Sequence, residues 1–207
     1  MLEIVSTGGL VMVFILILMT LAMMIVGERF WSLRDKEIIP GELKEQVIKW
    51  SKSKHLDAQH VAKLEENSPL GYVMAAALRN RDLPRDAIVE TVEDAGRHAV
   101  HKMEKPLNWL SVIAEVAPLL GLLGTVIGMI KVFAAINANG VGDAAHLASG
   151  ISQALITTAA GLVVAIPAML FHRHFKTKII DQSIIIEKQV MDLIDAIAAN
   201  KKPKKSI

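Results

Sequence analysis

The amino-acid sequence predicts an all-α integral membrane protein with three transmembrane helices, the second and third extended into a cytoplasmic helical bundle. Hydrophobic residues make up 52% of the 207 residues and the mean hydropathy is +0.40, which is too apolar for an ordinary soluble domain. The apolar residues are gathered into three long stretches with few or no charges. Because lipid cannot satisfy backbone polar groups, each stretch is predicted to be a helix.

The first apolar stretch lies between Glu3 and Glu28, and it predicts a transmembrane helix at residues 8–30 after an outer tail at residues 1–7. About 20 apolar residues span the hydrocarbon core, since each residue of a helix adds about 1.5 Å of rise. A cleavable signal peptide is the alternative. It is disfavoured because the tail contains no Lys or Arg and no small-residue cleavage site follows the stretch.

The second and third stretches predict transmembrane helices at residues 106–136 and 148–172, joined by a short outer loop at residues 137–147. Glu115 and Lys131 interrupt the second stretch. The third contains no Asp, Glu, Lys or Arg. Both stretches are therefore long enough to cross a bilayer.

Lys and Arg are distributed unevenly along the chain. Neither the outer tail nor the outer loop contains one, whereas residues 29–105 contain fourteen of the 23 and residues 173–207 contain eight. The positive-inside rule then predicts a periplasmic N-terminus, a cytoplasmic helical region at residues 31–105 and a cytoplasmic tail at residues 173–207.

Helical signals also occur between the first and second spans. Residues 42–50 predict a short amphipathic helix, and Ser68 with Pro69 predicts the cap and first position of a helix that ends at Arg79. The Asp82–Pro84 segment marks the start of a further helix. Its apolar residues recur at helical spacing toward the second span, with Pro106 as the one expected kink.

The cytoplasmic tail carries an apolar stripe that predicts a continuation of the third helix. Its members are Ile179, Ile180, Ser183, Ile186, Val190, Leu193, Ile194 and Ile197. Such a stripe needs a partner, and the sequence leaves open whether this partner belongs to the same chain or to a neighbouring subunit. The Lys201–Lys205 end is expected to be disordered or to touch anionic lipid.

Small residues and prolines replace the Leu, Ile and Val of an ordinary membrane anchor in the second and third helices. The predicted packing and kink positions are Pro118, Gly121, Gly124, Gly128, Gly161 and Pro167. Small residues three or four apart allow two helices to approach closely. The sequence therefore predicts a close contact between these two helices.

Polar residues form a second set in the same two helices, comprising Glu115, Thr125, Gln153, Thr157 and Thr158. For any single threonine, the better interpretation is packing, with the hydroxyl bonded to a carbonyl of its own helix. The clustering of these residues favours a polar face that lines an ion pathway. Glu115 lies near the predicted cytoplasmic boundary, where it reaches water.

Enzymatic and metal-binding functions find little support. The chain has no Cys and contains no HExxH, GxxxxGK or GxSxG motif, so we predict neither an enzyme nor a bound cofactor. The pairs His98/His101 and His172/His174 are more typical of exposed basic residues than of a metal site. No nucleic-acid partner is expected either.

Two segments resemble the MotA/TolQ/ExbB proton-channel family: VAPLLGLLGTVIGM at residues 116–129 and GISQALITTAAGLVVAIPA at residues 150–168. The three-helix layout is similar to ExbB and TolQ rather than to MotA, which has four membrane helices. The resemblance implies a homo-oligomer, a pentameric ring in the bacterial inner membrane around single-span ExbD- or TolR-like subunits. It also implies the proton as coupling ion and a TonB- or TolA-like protein as a further partner.

The resemblance also implies roles for individual residues. Thr125 and Thr158 would face the central pore near an aspartate of the single-span partner. ExbB and TolQ often have a glutamate where this chain has Gln153, and an amide cannot carry a proton. The titrating group is therefore expected on the partner, with Glu115 as a second candidate. The alternative function is a passive membrane scaffold that assembles single-span partners without conducting ions.

Overall fold

The computed structural model describes residues 2–51, 58–139 and 144–201, with side chains described at 9–51, 59–137 and 147–200. Every regular element in these ranges is an α-helix. The helices are α1 (Leu2–Ser32), α2 (Asp35–Ile38), α3 (Leu43–Ser51), α4 (Ala58–Asn67), α5 (Pro69–Arg79), α6 (Arg85–Asn139) and α7 (Ala144–Lys201). Three segments are long and apolar enough to cross a membrane: Gly9–Ser32, Arg85–Asn137 and Leu147–Asn200. The predicted fold class is confirmed.

Helix bounds differ from the expected ones mainly around the outer segments. The tail predicted at residues 1–7 is helical from Leu2. The α6 and α7 helices extend into the loop predicted at residues 137–147, because residues 129–139 contain no Gly or Pro that would end the helix. Residues 140–143, and the basic end beyond Lys201, lie outside the described residues.

A sharp break divides α1 near its start. Gly9 has φ 63° and ψ −158°, a conformation that residues with a Cβ rarely adopt. A Cβ at this position would also lie only 2.8 Å from the side-chain nitrogen of Gln153. The backbone angle therefore requires glycine here, and a larger residue would also displace the flexible end of the Gln153 side chain.

The chain divides into two compact units. The first unit comprises Met1–Glu28 and Pro106–His174, and the second comprises Arg29–Lys105 and Phe175–Ile207. In the most apolar windows of the three spans, only 22%, 22% and 33% of the residues are buried within the chain. Much of the apolar surface of the first unit therefore faces outward, as expected for helices that meet lipid or neighbouring subunits.

The second unit has a core of large apolar side chains. From α6 it buries Ile88, Val92, Ala95, Ala99 and Met103, and from α7 it buries Phe175, Ile179, Ile186, Val190, Leu193, Ile194 and Ile197. Most of the tail stripe is thus covered by the chain itself, which resolves the alternative left open by the sequence. The exceptions are Ile180, at 48% exposed, and Ser183, which is partly exposed.

Local signals explain the shorter helices of the second unit. The Ser68 hydroxyl accepts a hydrogen bond from the Gly71 backbone N–H at 3.1 Å, which confirms the predicted cap, with Pro69 in the first turn.

Gln182 on α7 was not anticipated by the sequence. It is buried, and its Nε2 donates to the Leu33 carbonyl at 3.0 Å and to Asp35 Oδ1 at 2.8 Å. Its amide thereby ties α7 to the segment between α1 and α2.

The prolines expected to kink the long helices do not end them. Pro106 and Pro118 lie inside α6, and Pro167 lies inside α7. Each proline removes one backbone donor, so the carbonyl four residues earlier loses its usual helical bond. For Pro118 and Pro167 these are the carbonyls of Ala114 and Val163.

Candidate functional site

The α6 and α7 helices of the first unit approach each other along a stripe of small residues. A Cβ added to Gly161 would lie 2.5 Å from the Ala117 carbonyl oxygen, and one added to Gly128 would lie 3.0 Å from Ala154 Cβ. A Cβ at Gly121 would lie 3.0 Å from Thr158 Cα. The two backbones therefore come so close that only glycine fits at these positions.

Thr157 lies inside this contact. Its side chain is fully buried, and a Cβ on Gly124 would overlap it. Its hydroxyl lies 2.8 Å from the Ala154 carbonyl and 3.1 Å from the Gln153 carbonyl, both on its own helix. Within one chain, Thr157 is thus a packing residue with a satisfied hydroxyl.

Thr158 and Thr125 are only partly buried. The Thr158 hydroxyl donates across the helix pair to the Gly121 carbonyl at 3.1 Å. The Thr125 hydroxyl donates to the Leu122 carbonyl on its own helix at 2.6 Å. Both hydroxyl protons are used within the chain, so each oxygen offers its remaining lone pair as an acceptor.

Gln153 connects all three helices of the first unit. Its Oε1 accepts a hydrogen bond from Lys131 Nζ on α6 at 3.4 Å, and its Nε2 lies beside Gly9 on α1. Lys131 was not among the predicted site residues. The sequence signal for it was its charge within an otherwise apolar stretch, which marks a functional candidate in a membrane helix.

Glu115 lies apart from the threonines. It is exposed, and its Oε1 accepts a hydrogen bond from Ser111, one turn earlier on the same helix, at 3.2 Å. Thr125 follows ten residues later, which corresponds to roughly 15 Å along a helix. The structure therefore brings together Gly121, Thr157 and Thr158 but leaves Glu115 at a separate level.

The predicted histidine pairs form no metal-binding group within the described residues. A search of that part of the chain finds no cluster of three or more His, Cys, Asp or Glu side chains that could hold an ion. His98 Nε2 instead lies 3.8 Å from Asp94 Oδ2, one turn earlier on α6. This spacing is that of an exposed ion pair on a helix surface.

Comparison with known proteins was made on both sequence and structure. A profile of the MotA/TolQ/ExbB proton channel family matches residues 65–188. The putative biopolymer transport protein ExbB-like 1 of Synechocystis sp. is 32% identical over 195 residues, covering 93% of this chain and 74% of that protein. The Tol-Pal system protein TolQ of Pseudomonas aeruginosa is 36% identical over 97 residues, covering 45% of this chain and 42% of that protein.

A solved structure shares the fold. A chain of the C. jejuni MotAB structure matches with a TM-score of 0.52 at 20% sequence identity, covering 86% of this chain and 74% of that chain. At this identity the likeness concerns the arrangement of helices alone. It agrees with the long α6 and α7 helices described above.

Proposed function

This chain belongs to the MotA/TolQ/ExbB proton channel family, and we propose that it forms the ring of an ExbB–ExbD or TolQ–TolR type complex. It is an ExbB/TolQ-type proton-channel subunit and a membrane protein, in a family of channels rather than enzymes. In the proposed complex, proton flow across the bacterial inner membrane drives work on an outer-membrane-directed partner such as a TonB- or TolA-like protein.

The proposal rests on the exposure and the hydrogen bonds of the Thr125 and Thr158 hydroxyls. Both are partly exposed in the single chain, and both donate their proton to a backbone carbonyl. A neutral carboxylic acid on a partner helix is a donor, so it matches these two acceptor oxygens. An ionised carboxylate would be repelled by the same oxygens unless a hydroxyl turned to donate.

This difference supplies a switch between two states of the partner acid. A charged carboxylate in an apolar setting is costly, so its pKa is raised until a hydrogen-bond donor or water stabilises it. Protonation from the periplasm lets the acid bind at a threonine oxygen, and loss of the proton toward the cytoplasm releases it. The membrane potential contributes about 2.3 kcal/mol per charge per 100 mV to the cycle.

The stoichiometry and partners follow from the family resemblance. We propose a pentamer of this chain around single-span ExbD- or TolR-like subunits, with the N-terminus periplasmic and the C-terminus cytoplasmic. The outward-facing apolar surface of the first unit supports a membrane assembly, and the uneven distribution of Lys and Arg supports the orientation. Gln153 cannot titrate, so the proton is carried by the partner.

Proton flux into vesicles tests the proposal, with the protein reconstituted together with its single-span partner. Thr158→Val keeps the size and branching of the side chain but removes the hydroxyl. We expect flux to fall by roughly two- to tenfold, since a hydrogen bond between neutral groups contributes about 0.5–1.5 kcal/mol. Thr177→Val, at an exposed position of the second unit, is the matched control.

Three outcomes are informative. Loss of flux with intact assembly on size-exclusion chromatography supports the assignment of Thr158. Wild-type flux in Thr158→Val contradicts it. Absence of flux from the unaltered chain with its partner, while the complex still assembles, would instead favour the passive scaffold.

A further inference from the structure

A cavity of about 1090 Å³ lies in the second unit. Its wall includes Arg29 and Trp31, from the last turn of α1, and Lys105, which directly precedes the α6 residues of the first unit. Arg29 and Trp31 also belong to the end of the first membrane-spanning segment. By chain connectivity, Arg29 and Trp31 occur where the first spanning segment ends, and Lys105 directly precedes the second span predicted at residues 106–136, the level at which lipid headgroups lie.

One wall of the cavity is basic. It contains Arg29, Lys102 and Lys105, and His98 and His101 face the same space from α6. The Arg29 side chain is only 7% exposed, and its Nη1 donates to the Met103 carbonyl at 3.3 Å. A buried guanidinium held to the backbone gives this wall a fixed positive charge.

The two lysines add mobile charge to this wall. Within the described residues, Lys102 and Lys105 have no ion pair, and both are exposed. They lie three residues apart on α6, so they project from the same side of the helix. Their ammonium groups can approach a single phosphate together with Arg29.

A second wall, formed by residues of α2 and α4, is acidic. Glu37 from α2 and Glu65 and Glu66 from α4 line it. Glu65 is ion-paired with Arg79, which does not line the cavity, so Glu37 and Glu66 carry the remaining negative charge. Because Glu37 and Glu66 line the cavity together with the basic residues, a simple anion would meet repulsion from these two carboxylates.

We propose that this cavity binds the headgroup of a zwitterionic aminophospholipid. The phosphate would be held by Arg29, Lys102 and Lys105, and the primary amine by Glu37 and Glu66. A phosphate accepts several charge-assisted hydrogen bonds, and a primary ammonium has three N–H donors for carboxylates. The position of the lining residues at the ends of spanning segments favours a lipid over a soluble ligand of the same chemistry.

Native mass spectrometry of the full chain released from detergent measures the bound lipid. We expect phosphatidylethanolamine to be retained in preference to phosphatidylglycerol, which lacks the amine, and to phosphatidylcholine, whose quaternary amine has no N–H. The double variant Lys102→Gln/Lys105→Gln should lose about tenfold or more in apparent affinity, from the loss of charge-assisted hydrogen bonds. Lys63→Gln, an exposed lysine of α4 outside the cavity, is the control.

A second pair of variants separates the two walls. Glu37→Gln/Glu66→Gln should shift the preference from phosphatidylethanolamine toward phosphatidylglycerol, whereas Glu90→Gln, on α6 and outside the cavity, should not. Equal retention of the three lipids, or cavity variants that match their controls, would overturn the proposal. Soluble glycerophosphoethanolamine that competes as well as the lipid would overturn its lipid source. None of these results depends on proton flux, so the proposed function stands or falls separately.

Discussion

In the first unit, α6 and α7 approach each other at glycines, which have no side chain. These are Gly121, Gly128 and Gly161. In the second unit, the same two helices contribute large side chains, such as Met103 of α6 and Leu193 of α7, which are almost completely buried. The difference follows from the solvent. Lipid gives helices no hydrophobic reason to associate, so contact depends on close van der Waals packing, whereas water drives apolar side chains together.

The same substitution should therefore have different consequences in the two units. Removing a buried side chain matters most where the core is built from side chains. Adding a side-chain atom should matter most in the first unit, where α6 and α7 touch at glycines that have no side chain. Two predictions test this difference, and a third sets the scale of an exposed contact within the second unit. They follow in order of decreasing effect.

Leu193→Ala should be the most destabilising of the three. Leu193 is 0% exposed in the second unit, and truncation of a buried leucine costs about 2–5 kcal/mol because a cavity is left behind. Leu122→Ala makes the same change at a residue of the first unit that is 59% exposed, and it should cost much less. Thermal unfolding in detergent compares the two. Equal losses would show that burial does not distinguish the units.

Gly161→Ala should destabilise the first unit by about 1–3 kcal/mol, the usual cost of an overpacked contact. The added Cβ would meet the Ala117 backbone carbonyl, which cannot rotate away. Gly27→Ala is the matched control in the same unit, since a Cβ there would have nothing within 4 Å. A melting temperature of Gly161→Ala at or above that of Gly27→Ala would contradict the proposed contact.

The exposed ion pair between Lys44 and Asp192 should contribute least. Its Nζ–Oδ2 distance is 2.6 Å, and the hydrogen bond and charge of Lys44 lower the pKa of Asp192. A lowered pKa gives stability that is present above the unfolded pKa of about 3.9 and is lost as pH falls through the folded value. Asp192→Asn should therefore be slightly less stable than the unaltered chain at pH 7. Below the folded pKa of Asp192, the two should be equally stable.

A double-mutant cycle with Lys44→Gln isolates this pair. The two single variants and the double variant should show nearly the same loss at pH 7, because either change removes the pair. Fully additive losses would show that the two side chains act independently.

Much of the fold was predictable because its signals are local. Apolar length gave the spans, the Ser68–Pro69 step gave a helix start, and spacing gave the buried stripes of α6 and α7. The α4 helix was missed since, among its residues with described side chains, it buries only Val61 and Leu64 within a polar sequence. The break at Gly9 was missed although Gly8 and Gly9 form a Gly-Gly pair, because the surrounding apolar run dominated the helix prediction.

The site was only partly predictable. The clustering of polar residues singled out Thr157 and Thr158 together, but neighbouring helical residues point about 100° apart. The register between α6 and α7 decides that Thr157 packs against Gly124 while Thr158 reaches the Gly121 carbonyl. Register between two helices is a tertiary property, and spacing along one helix cannot supply it. The bond between Lys131 and Gln153 was missed for the same reason.

The close contact between α6 and α7 also bears on biosynthesis. The two helices are consecutive in the chain, and they recognise each other through backbone shape and the Thr158–Gly121 hydrogen bond. A newly made chain can therefore form this hairpin as soon as its third span has left the insertion machinery. In the proposed ring, each copy would then meet its neighbours with this helix pair already formed, so that assembly would only have to bring folded subunits together.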